Sequence, residues 1–233
     1  MKRFFGKKND NKIIIENGEF FHLNKVLRMK EGEKVIACVN DENDYYCQIE
    51  KINKNDCILN IEKVEKCPAL PNHDITLFQM LPKKDYFDDI LAKSVELGVS
   101  RIVPFTSEYT MIKTFKRERV DTQIMTACKQ CERSMLVPVE DAITFENMLA
   151  RLNEYDLVIF AYERETQPFN PEILKGKDKI AVIVGNEGGF SPTETEKLKP
   201  LATTISLGKR ILRCDTAVTT MLSLVSVLTN NWF

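Results

Sequence analysis

Hydrophobic and polar positions along the chain follow two rhythms, and the change between them falls near residue 70. Before it come short β-type runs at 12–15, 34–40, 45–52 and 57–64, separated by turn-rich stretches at 40–44 and 53–56. One patch with Phe20, Leu23, Val26 and Leu27 at helical spacing interrupts them. A strand-rich unit of this size predicts a small barrel. Pro68 and Pro71 then mark an extended linker, so the pattern predicts one domain over 1–70 and another over 71–233.

In the second part, apolar strands at 75–81, 101–105, 157–161, 180–184 and 204–207 alternate with helices at 85–97, 117–133, 145–152, 192–201 and 217–230. Phe87, Ile90, Leu91, Ser94 and Val95 line one face of the first helix, as for a helix packed on a sheet. Such alternation implies an α/β fold with a mainly parallel sheet covered on both faces. The last helix is apolar over more than a stripe (Val218, Met221, Leu222, Leu224, Val225, Leu228), which calls for two covers: a neighbouring helix or a second subunit.

Composition narrows the class. The chain has 233 residues, 43% hydrophobic and 29% charged, with a net charge of −1, which excludes a polyelectrolyte binder of the histone kind. Charge is uneven: residues 1–34 hold nine Lys and Arg against five acids, and this local excess reads either as a phosphate-facing patch or as a solvated surface. The basic start has no apolar run behind it, and no stretch is long enough to span a bilayer, so a soluble cytoplasmic protein without membrane contact is expected. Seven cysteines read as reduced thiols. Cys128 and Cys131 form a CxxC, but there is no second pair, and His22 and His73 lack ligand spacing; the two cysteines are expected one helical turn apart, with no metal.

Two loops carry the candidate chemistry. The run 180–184 enters Gly185-Asn186-Glu187-Gly188-Gly189, followed by Ser191, Pro192 and Glu194 in the order of a capping box. Such a loop at the carboxyl end of a parallel strand stands where open α/β sheets bind ligands, and its glycines admit close backbone approach. It matches neither a phosphate loop nor a dinucleotide fingerprint. The second loop, 207–216, has a turn at Gly208 and the cations Lys209, Arg210 and Arg213; Asp215 or Thr216 is expected to cap the last helix.

Taken in order, Arg3-Phe4-Phe5, His22-Leu23 with Arg28, Lys93-x-x-Glu96-Leu97-Gly98, Gln130-x-x-Arg133, the Gly185–Gly189 loop and Leu207-Gly208-x-Arg210-Ile211-Leu212-Arg213-x-x-Thr216-Ala217 resemble the ribosomal RNA small subunit methyltransferase E family over nearly the whole chain. Two positions depart: Asn186 where the family commonly has proline, and Asp215 where it has glutamate. The resemblance implies a PUA-like barrel, a SPOUT domain with a C-terminal trefoil knot, a homodimer, S-adenosylmethionine as cofactor, and N3-methylation of one uridine in the decoding region of 16S RNA, free or in the small ribosomal subunit. Periodicity cannot reveal a knot.

Methylating a protonated imide nitrogen requires removal of a proton and stabilisation of the anion. Arg133, Arg213 and Arg3 are the candidates for orienting base or phosphate, and Glu187 or Asp215 for taking the proton. The cofactor is expected on Leu81, Ala161, Tyr162, Glu163, Val184, Gly185, Glu187, Gly188, Gly189, Leu207, Gly208, Ile211, Leu212 and Thr216, and RNA on Arg3, Lys25, Arg28 and Arg210. Three rivals stand beside this reading: a non-catalytic RNA-binding assembly factor, an α/β enzyme acting on a small phosphorylated metabolite, and a sibling ribose 2′-O-methyltransferase.

Overall fold

The computed structural model describes residues 1–231, and these form two compact units: 1–70 with 128–136, and 71–127 with 137–231. The first division between the units falls at 70/71, and the segment 128–136 is an addition to the first unit that no local pattern announces.

The first unit is built on β1 (Lys2–Phe5), β2 (Lys7–Asn9), β3 (Lys12–Glu16), α1 (Asn17–Phe21, continued by a π-helical turn to Val26), β4 (Lys34–Cys38), β5 (Asn43–Ile52) and β6 (Asp56–Lys66). The sheet order is β1-β4-β5-β6-β3-β2, so its two edge strands are the two that Gly6 alone joins. That connection forces the sheet to curl. Gly6 N–H donates to the Cys38 carbonyl at 2.9 Å, while a Cβ there would stand 2.8 Å from the Ile14 carbonyl oxygen and 2.6 Å from Ile15 Cδ1. Only glycine fits the seam. Inside the curl Phe4, Ile13, Ile15, Leu23, Val35, Tyr45, Ile49 and Leu59 pack together with Cys47 and Cys57.

No alternating pattern announces β1 and β2, because Lys2, Lys7 and Lys8 give their sequence the look of a basic tail. Arg3 is not a surface cation. It is 7% exposed and forms a two-pronged ion pair with Asp44, Nη2 to Oδ2 being 2.9 Å, while Nη1 also donates to Cys38 Sγ at 3.2 Å. Burial works to lower the guanidinium pKa, but the hydrogen bonds to Asp44 and Cys38 outweigh it and the net shift is upward; the neighbouring Cys38 thiol is pushed up to about 12, chiefly by burial.

The second unit is a six-stranded, wholly parallel sheet of β7 (Asp74–Met80), β8 (Arg101–Thr106), β9 (Ile143–Thr144), β10 (Leu157–Ala161), β11 (Lys179–Val184) and β12 (Thr203–Ile205), in the order β12-β10-β11-β7-β8-β9. Its helices are α2 (Lys84–Glu96), α3 (Arg117–Gln130), α4 (Phe145–Arg151), α5 (Pro192–Leu198) and α6 (Cys214–Leu228). From Ile180 to Val184 every residue of β11 is buried, as a strand covered on both faces requires. α3 stops at Gln130, short of the expected residue 133, and Glu132 adopts φ +65° just beyond it. Cys128 falls in its last turn and Cys131 just beyond it.

α6 begins at Cys214 with Arg213 in the cap position and no side-chain cap bond, so neither Asp215 nor Thr216 caps it. β11 on one side and α2 on another cover its apolar surface within the same chain, leaving Val227 and Leu228 about half exposed. Ser226 Oγ donates to the Leu97 carbonyl at 2.7 Å and pins α6 to the end of α2. Among the described residues no helix is long and apolar enough to cross a membrane.

The Arg3–Asp44 pair yields a stability prediction. Removing one partner strands a buried charge, so Arg3→Ala should cost about 3–5 kcal/mol in urea unfolding, and Arg3→Met with Asp44→Leu should recover most of it. A loss below about 1 kcal/mol in Arg3→Ala would show that the pair is a solvated one.

Candidate functional site

All strands of the second sheet run the same way, so the ends of β10, β11 and β12 deliver their loops to one edge. There they enclose an open cleft lined by Ala161–Glu163, Val184–Asn186, Gly189, Phe190, Leu207, Gly208, Arg210, Leu212, Cys214 and Ala217, at the sheet edge where open α/β folds bind ligands.

The loop after β11 owes its shape to its own sequence. Ser191 Oγ accepts from Glu194 N at 3.3 Å and Glu194 Oε2 from Ser191 N at 3.0 Å, closing the capping box. The other oxygen of Glu194 accepts from Glu108 N at 2.9 Å. Phe190 anchors the loop from below, edge-on to Phe160 with ring centroids 4.8 Å apart. Gly189 has φ +66° and Gly208 φ +107°, conformations that side chains resist. No atom lies within 4 Å of the place a Gly208 Cβ would take, so a side chain there would project into open space beside the cleft.

Asn186 does not use a left-handed backbone. Its Oδ1 accepts from Gly188 N at 2.9 Å, an Asx turn, and its Nδ2 donates to the carbonyls of Leu81 (3.2 Å) and Tyr109 (3.4 Å). The side chain thus ties the glycine loop to two other loops of the same unit, a service proline could not perform.

Of the expected cofactor residues, Ala161, Tyr162, Glu163, Val184, Gly185, Gly189, Leu207, Gly208 and Leu212 line the cleft; Leu81, Glu187, Gly188, Ile211 and Thr216 do not. A Cβ on Gly188 would meet Tyr109 Cβ at 3.1 Å, so its glycine serves packing rather than ligand approach. Ile211 is 78% exposed. Glu187 is exposed, with one oxygen accepting from Lys83 N at 3.2 Å. Asn186, Phe190, Cys214 and Ala217 line the cleft although they were not among the residues expected to hold the cofactor, and Arg210, expected on RNA, lines it too.

Asp215 is buried between Lys93 Nζ (3.8 Å) and Arg213 Nε (3.7 Å), and its Oδ1 accepts no hydrogen bond. The Arg213 side chain is largely exposed, its guanidinium 5.6 Å from the centre of the Tyr86 ring. Arg133 belongs to the first unit and is 5% exposed near Cys67, Cys128 and Cys131, where burial lowers its pKa. Both Arg3 and Arg133, read as candidates for orienting base or phosphate, are thus buried in the first unit. Lys25 and Arg28 are exposed in the first unit, Arg28 at φ +53° in the turn after the helical segment.

Comparison with known proteins gives consistent relatives. Residues 68–226 match the model of an RNA methyltransferase domain, and residues 15–62 that of an RNA methyltransferase PUA domain. Ribosomal RNA small subunit methyltransferase E of Bacillus subtilis (strain 168) is 30% identical, covering 92% of this chain and 90% of the relative. The protein of that name from Rickettsia conorii is 29% identical over 94% and 91%. The crystal structure of a ribosomal RNA small subunit methyltransferase E from Neisseria gonorrhoeae bound to S-adenosyl methionine superposes with a TM-score of 0.89 at 27% identity, covering 98% of each chain.

One consequence of the cleft is chemical. The Cys214 thiol is pushed up to about 11, first by burial and then by Glu187, so its alkylation should accelerate about tenfold per pH unit between pH 8 and 10. Peptide mass spectrometry after iodoacetamide pulses measures this; a rate already flat at pH 8 would contradict the burial.

Proposed function

The chain belongs to the ribosomal RNA small subunit methyltransferase E family, and on that premise we propose that it methylates N3 of one uridine in 16S ribosomal RNA, using S-adenosylmethionine bound in the cleft at the ends of β10, β11 and β12. The observation that carries the reading is the fit of that cleft to the cofactor: two glycines in left-handed conformations, apolar Leu207, Leu212 and Phe190 for a flat heterocycle, and the Glu163 carboxylate among the lining groups. S-adenosylmethionine supplies, when bound, a methyl group on a sulfonium, open to in-line attack.

The protein's own part is to hold the acceptor, take its proton and neutralise the anion. Of the two candidate carboxylates Glu187 is favoured, because it is exposed on the glycine loop and acts on Cys214 in the cleft lining. Asp215 then positions Arg213 and Lys93. Arg213 and Arg210 are the donors that meet the carbonyl oxygens or phosphates. Lys25 and Arg28 contribute phosphate contacts from the PUA domain. The reading extends to a trefoil knot in the C-terminal part, a cytoplasmic location, a homodimer and action on small-subunit RNA or the subunit itself. With α6 covered within its own chain, the homodimer rests on the family alone.

Two expected outcomes test it. Gly189→Val should weaken S-adenosylmethionine binding at least about tenfold in calorimetry, because a β-branched residue cannot hold φ +66° without strain; unchanged affinity would remove the cofactor from this cleft. Glu187→Gln should lower kcat about 100-fold or more with cofactor affinity kept, the product being N3-methyluridine by nucleoside mass spectrometry. Full activity in Glu187→Gln with loss in Asp215→Asn would move the base to Asp215, and a ribose-methylated product would replace the base reading with the sugar one.

A further inference from the structure

A second cavity, of about 350 Å3, opens at the carboxyl end of β7. It shares a wall with the cleft: Asn186 lines the one and donates to the carbonyl of Leu81, which lines the other. Glu187 on the same loop accepts from Lys83 N, two residues beyond Leu81.

The walls of this cavity are of two kinds. Phe87 and Phe115, ring centroids 5.5 Å apart and inclined at 49°, make an aromatic corner closed by Ile112 and Val120. Opposite charge is held in place beside it, Asp88 Oδ1 accepting from Arg119 Nε at 3.0 Å and the second pair of atoms also in contact. Lys84 and Lys116 stand exposed at the rim. Segments 83–88 and 113–119 hold six Lys and Arg against three acids, in a chain whose net charge is −1. A mainly apolar metabolite would not need that excess, and a free phosphate would not need two rings. A nucleotide within single-stranded RNA needs both: a ring to stack on, donors for its carbonyl oxygens and cations for the flanking phosphates.

We propose that this cavity receives the extruded pyrimidine nucleotide of the RNA substrate, stacked against Phe115, which the buried Phe87 backs, with Arg119 meeting a base carbonyl and Lys84 and Lys116 the adjoining phosphates. This rests on the reading of the chain as a ribosomal RNA methyltransferase. It assigns the acceptor and the cofactor to two cavities that meet at Asn186, with Glu187 standing between them.

The test uses the whole protein and a ten-nucleotide oligouridylate carrying one 4-thiouridine, irradiated with and without S-adenosylmethionine and mapped by peptide mass spectrometry. Crosslinks should fall within 81–88 and 112–120. Phe115→Ala should lower crosslink yield and raise KM for small-subunit RNA about tenfold, with cofactor affinity unchanged, and Phe115→Trp should restore both. If Phe115→Ala fails to fold, Lys84→Glu with Lys116→Glu on the exposed rim replaces it, with the same expectation. Crosslinks confined to other segments, or variants indistinguishable from wild type, overturn the proposal. Methyl transfer to small-subunit RNA by the wild type is scored separately: its absence sinks the functional reading, whereas its presence with crosslinks elsewhere sinks this cavity alone.

Discussion

The parallel pairing of β11 between β7 and β10 is the constraint from which the rest of the second unit follows. Parallel strands put every carboxyl end at one edge, and a strand buried on both faces leaves its loop as the only place where polar backbone meets solvent. β11 is inserted after both of its neighbours have been laid down or begun in the chain: β7 precedes it by about a hundred residues of sequence, and β10 by some twenty. Its loop therefore touches elements of distant origin. Asn186 bonds to Leu81 and Tyr109, Glu187 to Lys83, and Glu194 to Glu108, so the Gly185–Gly189 turn serves as the joint of the edge.

That joint explains the departure at position 186. A proline would fix the backbone but has no donor for the Leu81 and Tyr109 carbonyls and no acceptor for Gly188 N. Asparagine reaches rigidity by another route, through three side-chain hydrogen bonds instead of a ring. The loop is held while its coupling to neighbouring loops changes, and here the chain's chemistry differs from the pattern it otherwise resembles.

Local signals made much of this readable. The alternation of strands and helices, the capping box Ser191–Glu194 and the glycine turns are encoded within a few residues, and most helix bounds agree to within one turn. What escaped were features whose cause lies far away in sequence. Arg3 looks like a surface cation until Asp44, 41 residues on, is beside it. Gly6 looks like an incidental glycine until β1 and β2 are seen as the two edges of one curled sheet. The segment holding Arg133 joins the first unit although its neighbours on both sides belong to the second. Glu187, flanked by glycines, sits in a turn that frees the backbone for a ligand and leaves its own side chain exposed.

The fate of the charged groups ties these corrections together. An arginine becomes structural where a carboxylate can be buried with it, as at Arg3, because the pair then exchanges water for a two-pronged bond. It stays available for a ligand where its partner is distant or its surroundings are wet, as at Arg213, whose closest atoms to Asp215 are 3.7 Å apart and whose side chain is mostly exposed. Sequence spacing cannot distinguish the two cases, since both arise from Arg and Asp within the same motif vocabulary. Burial does: it takes Arg3 out of the surface of the first unit and leaves Arg213 exposed at the carboxyl edge of the parallel sheet.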